Sequence, residues 1–63
     1  MKFKVGDRVR NTLKEDNHYI RAGDTGIVEV YDEDNTYRVK WDNPVCTACN
    51  GSWWIEPNEL EAE

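Results

Sequence analysis

Cys46-Thr-Ala-Cys49-Asn-Gly51 is the sharpest chemical motif in the chain. Two thiols with two residues between them can grip one face of a metal ion. Tetrahedral zinc needs four ligands, and this segment supplies one pair. His18, in the other long loop, is the candidate third ligand; alternatively, two chains share a site of four cysteines. Two other states use the same residues. A disulfide between Cys46 and Cys49 would close a tiny loop and add little entropic stabilisation. Two reduced thiols are the usual state in a cytoplasm.

The second constellation is aromatic and cationic. Trp53 and Trp54 are consecutive in a short apolar run, so one of them faces outward or lies at a rim. An exposed Trp near tyrosines is a common interaction hot spot and also a base-stacking surface. Tyr31 has outward parity on its own segment and is expected to join that tryptophan. Arg8, Arg10, Arg38 and Lys40 share the outer parity of theirs, which suggests a wet cation–aromatic surface. Trp53, Trp54, Tyr31, Arg8, Arg10, Arg38 and Lys40 are therefore the candidate partner-binding residues. Catalysis is not expected. No Ser or Cys has a recognisable base and orienting acid around it, and His18 stands alone. The carboxylates of Asp32-Glu33-Asp34 lack the spacing and final Glu of a calcium loop.

Short alternating segments must position these groups. Lys4-Val-Gly-Asp-Arg-Val-Arg10 points Val9 inward and Arg8 and Arg10 outward. Asn11 to Ala22 has no clean period and reads as a long loop in which Tyr19 and Ile20 fold back as apolar anchors. Gly23-Asp-Thr-Gly26 is a turn whose glycines allow positive φ or close backbone approach. The strand after it places Val28 and Val30 on one face, with Ile27, Glu29 and Tyr31 on the other. Asp32 to Asn35 forms a polar hairpin tip, and Thr36-Tyr-Arg-Val-Lys-Trp41 returns with the cleanest alternation in the chain. Pro44 ends that strand region, since proline cannot donate to a ladder. Val45 to Gly51 is the second loop. Ser52-Trp-Trp-Ile55 follows as a strand, Glu56-Pro-Asn-Glu-Leu60 suits a helical or 3₁₀ turn, and a brief closing strand completes the order.

Composition sets outer bounds on this reading. Sixty-three residues make one domain, spanning residues 1–63, near the lower limit for folding without disulfides, metal or a partner. Three Trp, three Tyr and one Phe are dense for the length, and a few buried aromatics can build most of a small core. The net charge is −5. Basic residues gather in the first fourteen positions and acidic ones dominate later. Whole-chain acidity disfavours nonspecific nucleic-acid binding, whose affinity comes largely from phosphate neutralisation. Pairing of basic with acidic strands across a sheet accounts for the asymmetry more simply. No signal-peptide pattern or membrane-length apolar run is present, so a soluble cytoplasmic protein is the expectation.

Five short strands, a long first loop, a central hairpin and a Pro-Asn turn before the last strand together resemble an SH3-like β-barrel. Val5-Gly-Asp-Arg-Val9 is similar to the opening strand of many bacterial and phage SH3-like domains. Gly23-Asp-Thr-Gly26-Ile-Val28 resembles the Gly-x-x-Gly-x-Val element of KOW-type barrels. Tyr37-Arg-Val-Lys-Trp-Asp-Asn43 looks like the Val-x-Trp-Asp-Asn stretch of Mind-bomb-type repeats, and Ile55 to Leu60 resembles the Pro-Ser-Asn-Tyr-Val ending of eukaryotic SH3 domains. The cysteine segment resembles one knuckle of a zinc ribbon. The resemblance implies an all-β, five-stranded barrel and a non-catalytic protein-interaction module of bacterial or phage type. Its KOW-like side implies nucleic-acid or transcription-complex binding as the alternative, with a zinc- or thiol-dependent module as a third. Glu59 replaces the Tyr of the final turn and the Ala-Leu-Tyr-Asp-Tyr opening is missing, which speaks against polyproline recognition.

Overall fold

A computed structural model describes residues 3–45 and 51–63. Five strands, β1 (Arg8–Asn11), β2 (Thr25–Asp32), β3 (Thr36–Trp41), β4 (Ser52–Ile55) and β5 (Leu60–Ala62), form one sheet, and a 3₁₀ turn, Pro57–Glu59, precedes β5. The order across the sheet is β4-β3-β2-β1-β5, and every pairing is antiparallel. The five strands and the helical turn follow in the order that the residue pattern predicts, but β1 begins at Arg8 and not Lys4 and takes in Asn11, which the pattern assigns to the loop. The hydrogen-bonded ladder is open and not closed into a barrel, with β4 and β5 as its two edges.

One face of the sheet carries the core. Val9, Val28, Tyr37, Val39, Trp41, Ile55 and Leu60 come from all five strands, and Phe3 and Ile20 fold over them from the flanking segments. The strict alternation of β3 explains its central role: Tyr37, Val39 and Trp41 are buried while Arg38 and Lys40 are exposed. Phe3 meets Tyr37 edge to face at 5.8 Å, and its backbone N–H donates to the Tyr37 hydroxyl at 3.0 Å. That bond satisfies a phenol that would otherwise be costly to bury.

Glycine is required at two places in the first turn. Gly23 adopts φ +77°, where an L side chain is strained. Gly26 lies against the β3 backbone so closely that a Cβ there would collide with the Lys40 carbonyl oxygen and the Val39 side chain. The long loop between β1 and β2 is self-packed. The buried Asn11 amide donates to the carbonyls of Arg21 (2.8 Å) and Asp24 (3.3 Å), while its oxygen accepts from Leu13 (3.2 Å) and Gly23 (2.8 Å). Asn17 Oδ1 accepts from the backbone of both Tyr19 and Ile20 at 2.7 Å, holding Ile20 in the core. The buried Asp24 carboxylate accepts from Thr25 N–H and from both the backbone and side chain of Asn43, tying the first loop to the end of β3.

The structure corrects the expected parity of β2 beyond Val28. A β-bulge shifts the register between Val28 and Val30, so that Val30 pairs with Arg38 and Tyr31 with the buried Tyr37. The extra residue turns Tyr31 to the core side, 5.0 Å from Tyr37, and places Val30 opposite an outward residue. Tyr31 is half-buried against the core, and its hydroxyl donates to Asn35 Oδ1 at 3.3 Å.

Candidate functional site

The outer face of the sheet is built by β2, β3 and β4. Register sets Trp54 beside Arg38, and sets Lys40 between Ile27 on one side and Ser52 on the other. Trp54 is 37 % exposed and Ile27 41 %, the two large apolar side chains of this surface that stand open to solvent. The Arg38 guanidinium carbon lies 5.9 Å from the Trp54 ring centroid, within the range of a cation–π contact. Glu29 holds the arrangement from the bulge. Its carboxylate accepts a 2.6 Å hydrogen bond from Ser52 Oγ and faces Arg38 Nε at 3.6 Å. Lys40 has no carboxylate within ion-pair distance among the described residues.

The paired tryptophans divide as their alternation requires. Trp53 pairs with the buried Val39 and turns inward, where its ring stacks on Tyr19 at 3.7 Å and 11°. That stack fastens the first long loop to β4. A weaker bond from Val45 N–H to the Tyr19 carbonyl (3.4 Å) and one from Arg21 Nε to the Asn43 carbonyl (3.0 Å) tie the first long loop to the segment just after β3. Trp54 is thus the outward member of the pair.

The four candidate cations are all exposed, but they do not form one patch. Arg8 is occupied on the β5 side of the sheet. It binds Asp42 with Nη2 at 2.8 Å and Nη1 at 3.3 Å, and Glu63 with Nη2 at 3.0 Å and Nε at 3.2 Å. Thr25 Oγ1 also donates to Asp42. Hydrogen bonds from Arg8, then from Thr25, hold the Asp42 carboxyl below its ordinary range, and Arg8 does the same for Glu63. The two carboxylates in turn, Glu63 foremost, raise the guanidinium still higher. Arg10 stands opposite Glu61 and Thr25. Of the expected binding residues, then, the fold joins Trp54, Arg38 and Lys40, draws Trp53 and Tyr31 toward the core, and commits Arg8 to an ionic clasp.

Cys46 and Cys49 lie outside the described residues. His18 is exposed in the first loop, its ring 6.4 Å from that of Tyr19. Among the described residues no group of three or more His, Cys, Asp or Glu side chains is placed to hold a metal ion. An open cleft of about 390 Å³ between the β2–β3 hairpin and the 3₁₀ turn is lined by Asp34, Asn35, Glu56, Pro57 and Asn58. Among the described residues, no helix is long and apolar enough to cross a membrane.

Two site residues escaped the sequence reading, Glu29 and Ser52, which brace Arg38 and the edge of β4. The bulge that aims Glu29 carries no Gly or Pro to mark it. Compared with known proteins, the chain matches no protein-family model, no curated protein and no solved structure.

Proposed function

We propose that the chain is a non-catalytic protein-interaction module of SH3-like type, which binds its partner through the Trp54 face of the sheet. The observation that carries this reading is the exposed Trp54, flanked by Arg38 at 5.9 Å and set on paired strands. Aromatic and arginine side chains dominate interface hot spots because they bury large area at low entropic cost. The β5-β1-β2-β3-β4 neighbour order, with a 3₁₀ turn ahead of β5, supports the SH3-like assignment. The same resemblance extends the proposal to a bacterial or phage source and a cytoplasmic setting.

Phosphate-backbone binding by a KOW-like surface is less well supported. It needs free cations, yet Arg8 is shared by two carboxylates and Arg38 faces Glu29. Affinity capture from a lysate of the source organism tests the protein-binding reading. Trp54→Ala should reduce recovery of the captured partner about tenfold, the loss of a typical hot spot, while a far-UV circular dichroism spectrum stays unchanged. Equal recovery by the wild type and the Trp54→Ala variant would sink the assignment.

A further inference from the structure

β4 is an edge strand, and among the described residues no charge, proline or further strand protects its outer margin. Its residues, Ser-Trp-Trp-Ile, carry no charge and no proline. The backbone bond from Trp41 N–H to the Gly51 carbonyl (2.8 Å) fixes which of its polar groups are spent. Hydrogen-bonded and non-hydrogen-bonded pairs alternate along an antiparallel ladder. The pairs Val39–Trp53 and Tyr37–Ile55 are therefore the bonded ones, while Ser52 and Trp54 direct their N–H and C=O groups away from β3. An exposed row of such groups is a template for another strand.

The side chains around this edge complement themselves. In an antiparallel pair of β4 strands related by a two-fold axis at Trp53, Ser52 stands opposite Trp54 of the second copy, and the reverse. Those are the residues whose free backbone groups must pair. On the outer face the small Ser52 leaves room for the large Trp54 ring. The Glu29 carboxylate, held at Ser52 by the 2.6 Å bond and 3.6 Å from Arg38 of its own chain, then also faces the Arg38 guanidinium that lies over the other copy's Trp54. The two-fold repeats this negative-to-positive contact. On the inner face the two Trp53 side chains become cross-strand neighbours beside their Tyr19 stacks.

The other edge offers no comparable match. Two β5 strands side by side would oppose Glu61 and Glu63 of one copy with those of the other, and like charges directly opposite are destabilising. Pairing β5 with β4 of a second copy would leave free edges and run on into an open fibre, whereas the two-fold β4 pairing closes.

We infer that this chain forms a two-fold dimer through its β4 edges, with Glu29 of each copy facing Arg38 of the other. The contact is small, so it is a weak, concentration-dependent association. It would join two outer faces into one continuous surface bearing both Trp54 rings. The inference concerns self-association and stands apart from the nature of the partner bound by Trp54.

Sedimentation equilibrium across a concentration series up to about 1 mM, a range that resolves weak complexes, should show a monomer–dimer equilibrium. Ser52→Pro tests the edge. Proline is tolerated at the first residue of an edge strand, and the N–H it removes faces outward, so the variant should keep its circular dichroism spectrum and remain monomeric. A charge swap tests the register independently. Glu29→Arg and Arg38→Glu should each weaken the dimer about tenfold by opposing like charges, and an equimolar mixture of the two variants should restore it. A wild type that is monomeric throughout, a dimer that survives Ser52→Pro, or a mixture no stronger than the separate variants would each overturn the inference. Because these readouts need no partner, their failure would leave the capture experiment with Trp54→Ala unaffected.

Discussion

The two edges of the sheet are both short, four residues in β4 and three in β5, and each buries one aliphatic side chain, yet they present opposite chemistry outside. β5 contributes the buried Leu60 to the core, and its exposed Glu61 and Ala62 lead into the terminal Glu63. The last of these is clasped by Arg8, which also holds Asp42. β4 contributes the buried Ile55, anchors the inward Trp53 on Tyr19, and leaves an exposed tryptophan and uncharged backbone at its margin. Charge is the usual means by which a sheet edge avoids unwanted pairing. One edge of this sheet carries that protection, and among the described residues the other does not. Each edge buries one aliphatic side chain, so what most separates them is the outer chemistry of β4, which the proposed interaction would use.

The largest expected effects test whether the two edges are in fact anchored alike. Leu60→Ala on β5 and Ile55→Ala on β4 each remove a buried side chain, which costs about 3 kcal/mol through lost transfer energy and the cavity left behind. A domain of this size commonly has a total stability of only about 3–5 kcal/mol, so each variant should be largely unfolded or nearly so. Urea denaturation followed by tryptophan fluorescence measures both. A cost at Ile55 less than half of that at Leu60 would show that β4 is loosely held, and its exposed tryptophan would then signify poor packing instead of a surface.

Much of this edge contrast was legible in the residue pattern. The alternation of Tyr37-Arg-Val-Lys-Trp41 announced a central strand because one face had to be apolar, and the parity of Ser52-Trp-Trp-Ile55 required one tryptophan outside. The acidic run after Glu56 marked the end of the chain as charged. What could not be read had long-range causes. The Arg8 clasp joins residues 34 and 55 positions apart, so local spacing carries no trace of it. The bulge at Glu29 inverts the parity of Tyr31 through backbone geometry that no residue type demands there. Asn11 looked like a loop residue because its polarity was visible and its four buried bonds were not.

A smaller effect separates the edges by pH. Asp42 and Glu63 both have folded-state values below those of an unfolded chain, so their clasp contributes fully above the ordinary carboxylate range of about 4. The contribution fades as pH falls through the depressed folded values. The raised value of Arg8 matters only at extreme alkalinity, because its contribution persists until the guanidinium itself deprotonates. Arg8→Met should therefore lower the melting temperature slightly and uniformly from about pH 5 to 9, a window bounded by the carboxylate range. The difference should shrink toward zero in acid and in high salt, as expected for exposed ion pairs. Thermal melts of both proteins across that pH series check this. A difference that persists in strong acid would mean that Arg8 acts on β5 through packing of its stem and not through its charge.

The smallest expected effect on stability belongs to Trp54→Ala, and it decides what kind of edge β4 is. The lost contacts are one exposed ring face and a cation–π contact with Arg38, together worth about 0.5–1 kcal/mol at a solvent-exposed site. Well over half of the residue is covered, but its ring lies on the open face of the sheet, so truncation leaves no enclosed cavity. Arg38 keeps its ion pair with Glu29 when the ring is gone, so no buried charge is stranded. The urea midpoint of Trp54→Ala should accordingly lie close to that of the wild type and far above that of Ile55→Ala one residue away. Should the two neighbouring variants unfold at similar urea concentrations, Trp54 would be a structural cover for the sheet margin. The outward chemistry that distinguishes β4 from β5 would then serve folding and not contact.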